Sequence, residues 1–316
     1  MDDLLSIIIL TYKNGSLLHE TIESIFEQDY PAIELIVCDD ATPGFDTGEL
    51  ERFIAEKKKG NIVSSIIIAN ETNAGTVRNL NNGIRRANGA YIKAIAGDDQ
   101  LAAPDVCSRQ IAYLKTHGDT AVVAGNIMEC DAAMTPVSQS GFLLKDDTDP
   151  LFRNREKMLK YVCRENQKAL ATQVLCFRKD FFDKHGLYDE SFFLTEDLPM
   201  AVRIVEKEEK IGYLNCPCAK HRGETGVSTS AIAFDPRRIR YYEDLEHYFA
   251  SLVPLQDIIG RRYVQMRRRV CQFRIEYCQL QSASLPKKLA VIFKYLIPLT
   301  YYFTTNLRRA CFYLAK

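Results

Sequence analysis

Apolar and polar positions repeat one pattern four times in the first hundred residues. Leu4 to Leu10 is a short apolar run dense in β-branched residues, too short for a helix, and predicts a central parallel strand. The polar loop Thr11-Tyr12-Lys13-Asn14-Gly15 leads into Ser16 to Gln28, where Leu17, Leu18, Ile22, Ile25 and Phe26 recur at helical spacing. Ile33 to Cys38 predicts a second strand and Gly48 to Lys59 a helix. Ile62 to Ala69 predicts a third strand, followed by a helix over Thr76 to Asn88 with Val77, Leu80, Ile84 and Ala87 on one face. Tyr91 to Ala96 is the fourth strand and ends abruptly in Gly97-Asp98-Asp99. Parallel strands need crossover connections, so four strand-then-helix units predict a mostly parallel central sheet flanked by helices on both faces.

Downstream, the pattern predicts a helix over Pro104 to His117, a strand over Ala121 to Met128 and a polar, turn-rich surface excursion over 131–155. A strand over Ala171 to Phe177 and a short helix over Lys179 to His185 follow. A loop then carries Glu196-Asp197 into a helix over Pro199 to Glu208, and Ile211 to Leu214 closes the regular part. Past Pro236 the composition shifts, with helices expected over Ile239 to Phe249 and Ile258 to Gln281, the latter displaying solvated arginines. The expected organisation is an α/β catalytic unit at 1–235 and a C-terminal α-helical appendage at 236–316.

The composition fits a folded chain of this type: 316 residues, 47% hydrophobic and 26% charged, are enough for one large core. The net charge of zero conceals an asymmetry, because residues 237–316 hold fifteen Lys and Arg against five acids. Ten scattered cysteines show no repeated Cys-x-x-Cys, and Cys216-Pro217-Cys218 suits neither redox nor zinc spacing, so reduced core thiols of a cytoplasmic protein are expected. The start, Met1-Asp2-Asp3, enters a strand at once and carries no signal-peptide pattern. Leu289 to Leu307 is apolar and aromatic, interrupted by Lys294 and Pro298 and flanked by Lys287-Lys288 and Arg308-Arg309. That is marginal for a membrane span. It suits a peripheral anchor gripping anionic headgroups at the inner face of the cell membrane, or else a segment that packs on the catalytic unit or pairs in a homo-oligomer. No nucleic-acid recognition module accompanies the basic helices.

Candidate chemistry lies in three acid-bearing loops after apolar stretches: Asp39-Asp40, Asp98-Asp99 and Glu196-Asp197. In an open α/β sheet the C-terminal ends of strands bind ligands. Adjacent carboxylates there suit Mg²⁺ or Mn²⁺ carrying a diphosphate, while the plainer reading is a turn and a helix cap before Pro104. Glu196 and Asp197 are open in the same way, as caps or as a catalytic pair. The first strand-to-helix loop has one glycine and no G-x-G-x-x-G, which argues against a dinucleotide-binding dehydrogenase, and no Walker loop is present.

Several motifs in order give the chain a resemblance to the family 2 inverting glycosyltransferases of GT-A fold, of bacterial cell-surface polysaccharide type, over residues 4 to 230. They are Ser6-Ile7-Ile8-Ile9-Leu10-Thr11-Tyr12 with Thr21-Ile22-Glu23-Ser24-Ile25, Glu34 to Asp40, Asn73-Ala74-Gly75 with Arg78-Asn79, Gly89-Ala90-Tyr91-Ile92, Gly97-Asp98-Asp99 with Pro104, and Glu196-Asp197. The resemblance implies a GT-A, Rossmann-like fold and sugar transfer from a nucleotide-diphosphate donor, UDP or dTDP favoured, to a saccharide or lipid-linked acceptor. It implies that Thr11, Tyr12 and Asp40 hold base and ribose, a carboxylate being an acceptor for an imide N–H. Asp98 and Asp99 would share the ribose and a divalent cation, Mn²⁺ or Mg²⁺, with the ligand assignment between them open because Ala96 stands where many members carry another acid. Asp197, beside Glu196, would be the base that deprotonates the acceptor hydroxyl. Arg78 and Asn79 would lie at the donor, Arg78 having a fork suited to phosphate, and His221 and Arg222 would belong to a segment folding over the diphosphate. Processive members carry Gln-x-x-Arg-Trp, and this chain has no tryptophan, so addition of a single sugar is expected. The competing readings are a non-catalytic nucleotide-sugar-binding partner of a membrane assembly and a sugar nucleotidyltransferase, the latter disfavoured by the missing glycine- and arginine-rich phosphate loop.

Overall fold

In a computed structural model that describes residues 3–223, 238–280 and 283–304, the four early apolar runs are strands. They are β1 (Leu5–Thr11), β2 (Ile33–Asp39), β3 (Ile62–Ala69) and β4 (Tyr91–Ala96). β1 pairs in parallel with β2 and β4, and β3 pairs in parallel outside β2. β2 is buried along its whole length, as a strand covered by helices on both faces must be. The crossovers are α1 (Leu17–Phe26), α2 (Thr47–Lys57) and α3 (Thr76–Arg86). Ile22 and Ile25 of α1 are fully buried in one core cluster with Ile7, Leu35 and Val37.

The rest of the sheet departs from a purely parallel arrangement. Its order is β3-β2-β1-β4-β8-β6-β9-β5, with β7 paired to β6. Here β5 is Gln100–Leu101, β6 is Thr120–Cys130, β7 is Pro136–Ser140, β8 is Leu175–Arg178 and β9 is Lys210–Arg222, while α4 spans Val106–Thr116. β8 runs antiparallel to both β4 and β6. Lys93 shows why the predicted strand over 171–177 begins late: its ammonium, 1% exposed in β4, donates to the carbonyls of Gln173 (3.0 Å) and Leu175 (3.4 Å). A buried charge needs such acceptors, and the 3-10 turn Thr172–Val174 and the first residue of β8 present them.

The expected polar excursion at 131–155 contains β7, a hairpin on β6, a 3-10 turn at Pro150–Arg153 and the start of α5 (Arg155–Lys160). The short closing strand expected at 211–214 is instead thirteen residues of β9, paired along β6 with register shifts on either side of Asn126, whose partner is Pro217. Irregular pairing of this kind hides the period-2 pattern and accommodates a proline. It carries β9 on to His221 and Arg222. Helices α6 (Asp180–His185) and α7 (Asp197–Glu206) complete this part.

The chain divides into two compact units, Met1–Thr225 and Gly226–Lys316. The expected boundary at 235/236 lies outside the described residues, as do 224–228 of the segment thought to cover the diphosphate and Arg308-Arg309. The second unit holds α8 (Ile239–Ser251), α9 (Gln256–Ile259), α10 (Arg261–Gln279) and α11 (Leu285–Lys294), and is helical again over 296–304. The expected helix over 258–281 starts later because Gly260 adopts φ +109°. Its arginines are not simply solvated. Arg267 lies over the Phe249 ring at 5.0 Å and the Tyr302 ring at 5.1 Å, and Arg274 lies over Tyr242 at 5.2 Å. Among the described residues no helix is long and apolar enough to cross a membrane.

Candidate active site

The ends of β1, β2 and β4 lie side by side, with Thr11 opposite Asp39 and Leu10 opposite Ala96. The Asp40 N–H donates to the Thr11 carbonyl at 2.9 Å and the Gly97 N–H to the Leu10 carbonyl at 2.8 Å, so the Asp40 loop and the Gly97-Asp98-Asp99 turn leave the sheet at one point. A Cβ on residue 97 would come within 3.0 Å of the Thr11 Cβ, and glycine is what admits this approach. Thr11 is buried, whereas Tyr12 stands 43% exposed beyond it.

Asp40, expected to face a nucleotide base, carries three hydrogen bonds from the segment before α3. Its Oδ1 accepts from the Ala74 N–H (2.7 Å) and the Asn70 amide (3.0 Å), and its Oδ2 accepts from the Gly75 N–H (2.9 Å). The carboxylate thus holds loop 70–75 in place. Asn79 is likewise a structural tie: 2% exposed, it donates to the Cys38 carbonyl at 2.8 Å and accepts from Asn70 at 3.1 Å. Gly75, at φ +85°, lies against the loop before α7, since a Cβ there would stand 2.5 Å from the Phe193 carbonyl oxygen. The Val77 N–H donates to that same oxygen at 3.3 Å. Asn81 adds a second clamp, donating to the Tyr188 carbonyl and Glu190 and accepting from the Tyr188 N–H. Arg78 is exposed at the rim, its Nε 3.7 Å from Glu190, which also bonds Arg85 at 2.6 Å.

Asp99 is buried, and its Oδ1 accepts from the Arg222 N–H at 2.9 Å and lies 3.2 Å from Nδ1 of His221. Burial raises the Asp99 carboxyl above the usual range, against the opposing pull of His221 and the Arg222 N–H. The same contact raises His221, whose partner is a carboxylate. Both shifts describe one pair; the direction at His221 follows directly from the geometry, while that at Asp99 is the excess of desolvation over pairing. Arg222, expected at the diphosphate, is a brace. Its guanidinium bonds Glu20 (2.5 Å), the Asp98 carbonyl (3.0 Å) and the Ala132 carbonyl (2.6 Å). Its side chain is 5% exposed.

No three His, Cys, Asp or Glu side chains converge on a metal position among the described residues. A divalent cation delivered with a diphosphate needs only one or two carboxylates from the protein and takes its other oxygens from phosphate and water, a number that the adjacent Asp98 and Asp99 can supply.

Asp197 opens α7, and its Oδ1 accepts the Leu198 N–H at 2.7 Å. Partly buried, its carboxyl is pushed up to about 6 by desolvation, with the Leu198 N–H and, less strongly, the Lys168 ammonium pulling the other way. Glu196 occupies the N-cap position and its side chain makes no cap bond, so the cap reading of that residue is not realised. Lys168 forms an ion pair with Glu129, and its charge is felt at His221 as well as at Asp197. Glu129 is the cross-strand neighbour of His221. Lys168, Glu129, Glu20, Asn81 and Glu190 carried no local signal in the sequence, except that Asn81 interrupts an apolar helix face while being fully buried.

Residues 6–196 match the family described as Glycosyl transferase family 2. Among curated relatives, Bacillus subtilis (strain 168) EpsE is 35% identical over 127 residues, 40% of this chain and 44% of EpsE, so that match spans less than half of its relative. The Escherichia coli UDP-Glc:alpha-D-GlcNAc-diphosphoundecaprenol beta-1,3-glucosyltransferase WfaP is 28% identical over 234 residues, 73% of this chain and 82% of WfaP. Among solved structures, S. aureus TarS 1-349 in complex with UDP-GlcNAc aligns at TM-score 0.60 and 16% identity, covering 93% of this chain and 81% of TarS 1-349. The Pyrobaculum calidifontis mannosyltransferase PcManGT, in complex with GDP-Man and Mn2+, aligns at TM-score 0.58 and 17% identity over 97% of this chain and 84% of its own. These likenesses agree on the GT-A fold, and the profile match over 6–196 establishes that the chain belongs to glycosyl transferase family 2.

Proposed function

We propose that the protein is an inverting, metal-dependent glycosyltransferase that moves one sugar from a nucleoside-diphosphate donor, UDP- or dTDP-linked, to a saccharide or lipid-linked acceptor in cell-surface polysaccharide synthesis. The observation that supports the mechanism is the placement of Asp197 at the first turn of α7, after a loop that packs on Gly75 and through it on Asp40 at the end of β2, where desolvation pushes its carboxyl up to about 6. A carboxylate with that pKa is ionised near neutral pH and basic enough to accept a proton.

In this reading Thr11 and Tyr12 line the base and ribose, and Arg78 stands at the rim where a phosphate enters. Asp98 and Asp99 would hold the Mn²⁺ or Mg²⁺, whose charge offsets that of the departing diphosphate, with His221 beside Asp99. Asp197, with Glu196 beside it, takes the acceptor hydroxyl proton as that oxygen forms a bond to the anomeric carbon. The bond from that carbon to the diphosphate oxygen breaks on the opposite face, inverting the centre and releasing nucleoside diphosphate. Asp40, Asn79, Asn81 and Arg222 keep the loops in register. WfaP acts, by its name, on a diphosphoundecaprenol-linked acceptor, and that supports a lipid-linked acceptor here and peripheral work at the inner membrane face.

The test is stoichiometric release of free nucleoside diphosphate with formation of a glycoside of inverted anomeric configuration. Donor binding without release would leave only a nucleotide-sugar-binding role, and release of pyrophosphate would indicate nucleotidyl transfer.

A further inference from the structure

The described C-terminal helices have two faces of opposite fate. Val291 and Tyr295 are buried against Phe273, with Ile292 and Leu299 packed on the same cluster as Tyr277 and Leu280. On the other side Leu285, Leu289, Phe293, Leu296, Ile297 and Phe303 are between 43% and 71% exposed. Of the eleven exposed large hydrophobics among the described residues, these six fall within nineteen positions, so they form a patch and not the usual scatter. Within α11, Leu285, Leu289 and Phe293 recur every four residues on one face, and beyond the turn at Tyr295, Leu296, Ile297 and Phe303 fall within about 120° of one another at 100° per residue. Lys287, Lys288 and Lys294 of α11 flank the stripe outside its two borders, and Lys294 is paired with Glu276 at 2.7 Å.

We propose that this stripe is a membrane-docking surface, in which 285–303 lies in the plane of a bilayer with Phe293 and Ile297 among the acyl chains and the lysines at anionic headgroups. Two features select lipid over a second copy of the chain. The apolar stripe has cations at its border, the arrangement of an interfacial helix. The fifteen Lys and Arg against five acids over 237–316 repel a second copy of this unit and attract an anionic surface. The inference rests on the proposed lipid-linked acceptor, for which it names the place of contact.

The experiment is flotation of the full chain with vesicles of phosphatidylcholine alone or mixed with phosphatidylglycerol, for the wild type and Phe293→Asp/Ile297→Asp. The wild type is expected to float with the anionic vesicles and less with the neutral ones. The variant should bind about tenfold or more weakly, given the transfer free energy of two large apolar side chains, while its helix content and Tm are unchanged because both positions face solvent. A wild type that stays off anionic vesicles, or a variant that floats equally well, overturns the proposal. So does a wild-type dimer in light scattering that the variant dissociates with no change in flotation, which would assign the stripe to a second copy. Nucleoside diphosphate release on a soluble acceptor analogue separates the two claims: release without flotation rejects only the docking surface. Flotation without release upholds the surface and rejects the transferase reading.

Discussion

In the proposed mechanism Asp197 ties stability and catalysis to one proton. Its folded pKa of about 6 lies above the ordinary carboxylate value near 3.8, so folding favours the protonated form. The sign follows: well below pH 3.8 the group is neutral in both states and contributes nothing, between about pH 4 and 6 the unfolded chain ionises first, and above 6 the cost to the folded state reaches about 2 to 3 kcal/mol. Asp197→Asn is therefore expected to be more stable than the wild type at pH 8 and equal to it well below pH 3.8, measured by denaturant unfolding. The same variant should lose about 100-fold to 10,000-fold in kcat while retaining donor binding. The wild-type kcat/KM should fall on the acid side with a midpoint near 6. Full activity of the variant, or a flat profile across that range, would remove Asp197 as the base.

The elements of the site are coupled through loop 70–75. Asp40 holds its Ala74 and Gly75 N–H groups, and Gly75 in turn lies against Phe193, four residues before Asp197. Gly75→Ala introduces a Cβ at a φ of +85° and 2.5 Å from a backbone oxygen. The conformation alone costs about 1 to 3 kcal/mol, and the contact forces the 191–197 loop outward. The expected outcome is a Tm lowered by roughly 2 to 8 °C and a kcat that falls more than donor affinity does. Unchanged kcat in a folded variant would show that the loop does not position Asp197. The helices α1 and α3 were legible because each buries an apolar face at helical period, and the strands β1, β2 and β4 because each is a short continuous apolar run buried on both faces. β9 was not, because its pairing with β6 shifts register around Pro217 and its last residues are polar.

At the level of the whole protein, a cation would have to arrive with the donor, since Asp98 and Asp99 supply only part of a coordination shell. Transfer should be abolished by chelation and restored by Mn²⁺ or Mg²⁺, and Asp99→Asn should weaken nucleoside diphosphate binding in the presence of the cation but little in its absence, by calorimetry. Activity undiminished by chelator would reject metal dependence. Charge segregation belongs to this scale too: the basic surplus is confined to the unit that carries the exposed stripe of 285–303.

Local pattern was enough to read the repeated strand-loop-helix units, the three acid-bearing loops at strand or helix ends, and the shift to basic helices after Pro236. Those features depend on the period of apolar residues and on a few adjacent side chains, which lie next to one another along the chain. The partners of the acids are a different matter. Asp40 meets Ala74 and Gly75, Asp99 meets His221 and Arg222, and Lys168 lies where both His221 and Asp197 feel its charge. Contacts across 34 to 123 positions of sequence leave no local signature. Folding alone made Asp40 and Arg222 braces, because buried N–H groups and carbonyls had to find acceptors and donors. It also desolvated the carboxyl of Asp197, which by residue type alone is an ordinary acid.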